Sequence, residues 1–176
     1  MGTTSNFGWP TPEATDLVKN GWEAIKDLGD AIDTSATSFA NKVVQIVQGT
    51  TTTQVSLSSA TFTDTTLTAT ITPTSASNKI LVLIQQSNIY INNSNVNAST
   101  TFKLFRDATE IGLQSFGFNN STALAFGGLG WSYLDSPATT SATTYKTQYS
   151  ALSSLGPIFV QYSGAQSNII LIEVIP

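Results

Sequence analysis

The sequence predicts a mainly β fold, an antiparallel jelly-roll sandwich preceded by one short α-helix. Three observations carry that reading. From residue 43 onwards, short runs alternate apolar and polar residues with no helix-spaced segment between them. Polarity comes from hydroxyls and amides, with 27 Thr and 21 Ser in 176 residues and only 10% of residues charged, against about 25% in an average soluble domain. The charges are also uneven: nine of the 18 lie between Glu13 and Lys42, leaving nine for residues 43–176. That shift places a boundary near residues 41–43, between an N-terminal attachment segment with its helix (1–42) and a jelly-roll β-domain (43–176).

The helix comes first. Thr11-Pro12-Glu13 offers an N-cap, a proline at the first helical position and an acid in the first turn. Apolar residues then recur at 3-4 spacing, Val18, Ile25, Leu28, Ile32 and Phe39, with Gly21 and Ser35 completing the frame. This is a heptad seam with weak d positions. It fits an amphipathic helix lying on its own domain, or a helix packed on a partner. Burying such side chains gains roughly 1.5–3 kcal/mol each, while ordering backbone costs about 1–2 kcal/mol per residue. A lone helix this short would fray, which favours a partner: copies of itself, or a protein on which the chain is mounted. The Pro/Gly-rich start, with Phe7 and Trp9, is the candidate attachment segment. Contact of those rings with their own domain would explain them equally well.

About ten strands follow. TLTATIT (66–72) puts Leu67, Ala69 and Ile71 on one face, and residues 73–78 read as a turn. KILVLIQQSNIYI (79–91) opens on five consecutive apolar residues, too continuous for a strand with one wet face. TTFKLFR (100–106) and EIGLQSFGF (110–118) flank a hairpin at 107–109. Further strands are expected over 123–133, 143–149, 158–162 and 168–175. Many short strands without helices between them indicate a sandwich or jelly roll. The run 80–84 either lies central in the sandwich or meets another copy of the domain, and the run 169–175 poses the same choice. Ile80, Val82 and Ile84, with the helix seam, are therefore the candidate oligomerisation residues of a homo-oligomer.

Chemistry finds little to work with. The chain has no Cys and no His, so it lacks disulfides, a thiolate nucleophile, an imidazole base and the usual zinc ligands. No cofactor or metal and no enzymatic activity are expected. A net charge of −4 argues against nucleic acid, whose binding rests on clustered Lys and Arg. MGTTSNFGW has neither a basic n-region nor an apolar h-region, and no run of 18 apolar residues occurs, so neither a secretory signal nor a membrane-spanning helix is expected. Asp107 and Glu110 could be imagined as a carboxylate pair, but turn chemistry explains them as well. Asp27, Asp30 and Asp33 read as a solvated helix row rather than a cation site. Asn92, Asn93, Asn95, Phe118, Asn119, Trp131 and Tyr133 mix amides with rings, which suits host surface glycan or ordinary strand packing.

The stretch NFGWPTPEATDLVKNGWEAIKDLGDAIDTS resembles the opening of many tailed-bacteriophage structural proteins. LTATITPTSASNKILVLI, the hairpin LFRDATEI and the closing pair TTYKTQY and QSNIILIEVIP resemble the domain that follows it there. That domain is similar to the trimeric tumour-necrosis-factor-like jelly roll. The resemblance implies a non-enzymatic virion structural protein, assembled in the host cytoplasm and carried on the virion surface. It implies a homotrimer contacting capsid or tail proteins as a short fibre, head fibre or capsid decoration (cement) protein. The alternative is a tail-fibre module that recognises host glycan through distal loops. The short stalk suits a head held close to its attachment point.

Overall fold

The computed structural model describes residues 2–11, 21–39, 42–92, 99–117, 124–151 and 156–176. The chain divides into two compact units, Met1–Lys42 and Val43–Pro176.

In the first unit β1 (Gly2–Thr3) pairs antiparallel with β2 (Pro10–Thr11). The connection is held by Thr4, whose Oγ1 accepts from the Trp9 amide at 3.0 Å. Gly8 supplies the left-handed residue this turn needs, at φ 65°. Thr11 ends β2; Pro12, Glu13 and Val18, with the start expected for the helix, lie outside the described residues. The helix α1 spans Gly21–Phe39. Ala24 is buried, and Leu28, Ala31 and Ser35 beside it are half-buried, whereas Trp22, Ile25, Gly29, Ile32 and Ala36 are exposed.

The second unit contains ten described strands: β3 (Val43–Thr51), β4 (Val55–Leu57), β5 (Thr63–Ile71), β6 (Lys79–Asn92), β7 (Ser99–Arg106), β8 (Thr109–Gly117), β9 (Leu124–Asp135), β10 (Thr143–Ala151), β11 (Ile158–Val160) and β12 (Ser167–Val174). One sheet runs β5-β10-β7-β8. The other runs β3-β12-β6-β9, with β11 and β4 continuing it beside the far half of β6. All pairings are antiparallel. Setting the short β4 and β11 aside, the sheets take strands first-eighth-third-sixth and second-seventh-fourth-fifth, which is the two-Greek-key order of a jelly roll.

Alternation fills the space between the sheets. β5 turns Thr65, Leu67, Ala69 and Ile71 inward, β10 turns Tyr145 and Tyr149, and β12 turns Ile169 and Leu171. The core has two apolar clusters, one around Leu67, Ile80, Val82, Leu104, Tyr145 and Leu171, the other around Ile89, Ile91, Phe102, Tyr149 and Ile158. A buried set of polar groups also joins the sheets. The Thr65 and Thr147 hydroxyls bond each other, and the Ser167 Oγ accepts from Gln86 Nε2 at 3.1 Å and from the Ser87 amide at 2.9 Å. The Gln161 carboxamide, with its oxygen toward Ser167 and Gln86, donates from its nitrogen to the Thr53 and Thr65 carbonyls. Buried polar groups are tolerated only when bonded in this way.

β5 carries a bulge where residues 65–67 face Thr147 between the pairs Asp64–Gln148 and Thr68–Lys146. Thr66 sits in it at φ 68°, an outlying conformation for a β-branched residue. Its hydroxyl bonds Thr51 Oγ1 at 2.8 Å on the exposed surface. Relief of strain outweighs so exposed a bond, so Thr66→Gly is expected to raise stability by about 1 kcal/mol, read from the urea midpoint.

Candidate assembly surfaces

The sequence-predicted residues fall in different places. Ile80, Val82 and Ile84 are 0%, 0% and 4% exposed in the core facing the other sheet. They are not free to meet a second copy, because the alternation of β6 turns that phase inward and sends Leu81 and Leu83 outward. On α1 the expected seam is split. Ile25 and Ile32 are exposed, while Leu28, their neighbour at three and four positions, lies half-buried at the border of the inward face. Phe39 closes α1, and Asn92 closes β6. Phe7 stacks on Trp9 with ring centroids 5.1 Å apart, and the Trp9 Nε1 donates to Ser35 Oγ at 2.8 Å. Trp9 thus holds the unit's own helix, while Phe7 is exposed. Trp131 packs among both core clusters with its Nε1 buried and bonded to none of the described residues; Tyr133 on the same strand is exposed. Asn93, Asn95, Phe118 and Asn119 lie outside the described residues.

The two sheets have unlike outer faces. On the β5-β10-β7-β8 side the cross-strand pairs are Thr70–Thr144, Thr68–Lys146, Asp64–Gln148 and Gln148–Lys103. Lys146 pairs with Asp64 at 3.0 Å and Lys103 with Glu110 at 2.7 Å. Phe105 and the exposed Leu113 interrupt an otherwise hydroxyl-rich, charged surface. On the other side, Ile46, Ile172, Leu81 and Leu134 form one row across β3, β12, β6 and β9. Gln48, Ile170, Leu83 and Ser132 form the next. Cross-strand partners share a face, so this row order is a surface statement. Ile46 and Leu134 are 63% and 53% exposed.

Farther along the same outer face, Phe126, Tyr90 and Phe159 line up across β9, β6 and β11. Tyr90 stacks on Phe126 at 4.6 Å and meets Tyr162 at 4.4 Å. The charged side chain at the margin of these rows is Lys79, opposite Val174. An antiparallel sheet in water carries one apolar face, the one on the core. This sheet carries two.

The carboxylates of the β-domain are engaged in structure. Asp107, at φ 51° in the two-residue β7–β8 turn, accepts from the Thr144 amide at 2.9 Å, and Glu110 pairs with Lys103 across the hairpin. Asp135 receives both Arg106 Nη1 contacts, at 2.9 and 3.0 Å, and the Tyr145 hydroxyl at 2.7 Å. Burial, then the bond to Asp135, pushes the Tyr145 phenol far up. Asp30 pairs with Lys26 along the helix. Among the described residues no three acidic side chains gather as a metal site, and no helix is long and apolar enough to cross a membrane.

No family model and no curated protein matches the chain. Among solved structures it is similar to VP2 of infectious bursal disease virus in a subviral particle, at 12% identity over 75% of this chain and 33% of that one, with a TM-score of 0.42. It is also similar to a chain of the T13 particle of that virus, at 13% identity over 77% and 36%, TM-score 0.41. A third is dimeric latent PorU from Porphyromonas gingivalis, at 7% identity over 77% and 14%, TM-score 0.34. The chain spans about a third of the length of the viral chains it matches. At these scores none of them bears on function or assembly.

Proposed function

We propose that this chain is a non-enzymatic structural protein of a tailed-bacteriophage virion, a homotrimer mounted by its N-terminal unit as a short fibre or capsid decoration. The observation that carries the assembly is the second apolar face of the β3-β12-β6-β9 sheet. Four strands about 4.8 Å apart, over a β6 rising about 3.3 Å per residue, give that face on the order of 600 Å². A footprint of that size is close to the ~800 Å² per partner of a stable complex. The face is almost uncharged, so copies meet without like-charge repulsion, whereas an anionic partner would find no cation cluster to bind. The virion setting and threefold symmetry rest on the resemblance of the N-terminal stretch and the LFRDATEI hairpin.

Leu81→Asp with Ile172→Asp is expected to give a folded monomer, because both side chains point away from the core. Light scattering showing an unchanged oligomer would overturn the assembly. Particles lacking the protein are expected to lose heat stability. Loss of adsorption to cells with unchanged heat stability would replace decoration by receptor binding.

A further inference from the structure

We infer that α1 packs in parallel and in register against α1 of other copies of this chain, through Trp22, Ile25, Gly29, Ile32 and Ala36. The inference rests on the homo-oligomer reading and changes the seam that sequence spacing predicts. These five residues follow one another at 3, 4, 3 and 4 positions. Trp22, Ile25 and Ile32 are 64%, 67% and 40% exposed, and Gly29 and Ala36 between them are exposed too. The adjoining face, about 110° round the helix, is already taken, since Ala24, Leu28, Ala31 and Ser35 turn inward and Trp9 bonds Ser35. The helix therefore has two apolar stripes, and the described residues of its own unit answer one.

The spacing selects the occupant. A 3-4 repeat matches a helix of the same period in register along its whole length, and another copy of α1 supplies one. Gly29 and Ala36 let backbones approach, and Ile25 and Ile32 fill the layers between. A lipid surface is disfavoured, because α1 carries Glu23, Asp27, Asp30 and Asp33 against Lys26 alone, the wrong sign for anionic headgroups. The stripe spans about 21 Å at 1.5 Å per residue, too short to associate by itself. Heads already assembled raise the local helix concentration to the millimolar range and make it sufficient.

The absence of cysteine makes the test clean. In full-length protein under mild oxidant, Ile25→Cys and, separately, Ile32→Cys are each expected to form a covalent dimer on a non-reducing gel. In-register neighbours place identical seam positions within disulfide reach. Asp27→Cys, on the far side of the helix, is expected to stay uncrosslinked. An oligomer by light scattering with no crosslink at either seam position, or with equal crosslinking at Asp27→Cys, overturns the inference and leaves the assembled heads intact. Crosslinking only when Ile25→Cys and Ile32→Cys chains are mixed shows antiparallel helices and overturns it too. A monomeric parent protein overturns the homo-oligomer reading itself.

Discussion

Glu173→Ala is expected to destabilise the β-domain by roughly 3–5 kcal/mol, the range for removing one partner of a buried charged network. Glu173 is fully buried near the end of β12. Its Oε1 accepts from the Thr74 amide at 2.7 Å, Thr74 Oγ1 at 2.8 Å and Asn78 Nδ2 at 2.7 Å. Its Oε2 accepts from Gln45 Nε2 at 2.6 Å. One carboxylate thus ties the β5–β6 turn to β12 and, through Gln45, to β3. Alanine would leave buried donors with nothing to bond.

The same site sets an acid limit. Burial pushes the Glu173 carboxyl up, but the bonds from Asn78, Gln45 and Thr74 together outweigh it and bring it from the ordinary 4.5 to about 2. A folded-state value below the unfolded one means the stabilisation is complete above about pH 4.5 and disappears as pH falls toward 2. It amounts to roughly 3 kcal/mol. The urea midpoint of the native chain should therefore fall through that window, and that of Glu173→Gln should fall less. Parallel curves for the two would show that other carboxylates govern acid unfolding.

Periodicity announces a strand but does not always say which way it faces. TLTATIT has one apolar phase, and it is the phase that faces the core. KILVLI and IILIEVI are apolar in both phases, so spacing alone leaves Ile80–Val82–Ile84 and Leu81–Leu83 equivalent as interface candidates. Only the packing of β6 against Leu67, Leu104 and Tyr145 of the other sheet chooses between them. On α1 the same ambiguity is angular. Ile25 and Ile32 belong to two overlapping heptad frames, one continued by Leu28 and Ser35, the other by Trp22, Gly29 and Ala36. The choice is made by Trp9, which lies 26 residues from its partner Ser35, a separation no window of helical period spans. Glu173 had a readable signal, a lone acid in the inward phase of Ile169 and Leu171. Its partners in the 73–78 turn did not, because turn residues have their own local reason to be Thr, Ser and Asn.

Gly49→Val is expected to abolish folding, and Gly49→Ala to cost about 3 kcal/mol or more, for a reason of space rather than conformation. A Cβ at Gly49 would stand 2.0 Å from the Thr68 carbonyl oxygen and 3.0 Å from Ala69 Cβ. Gly49 pairs with Ile169 on the edge strand β3, and Thr68 lies on β5, the edge strand of the other sheet. Their contact closes one side of the sandwich, with the Thr51–Thr66 hydroxyl bond beside it. The obstacle is backbone, so no rotamer change relieves it, and β3 must move away from β5. Movement of β3 carries Ile46 out of the row it shares with Ile172, Leu81 and Leu134. Any Gly49→Ala protein that folds at low temperature should therefore also assemble less tightly. A melting curve and a dilution series by light scattering measure the two effects. A folded Gly49→Ala chain with native stability would show that β3 and β5 do not approach so closely, and unchanged assembly in a destabilised one would take β3 out of the interface.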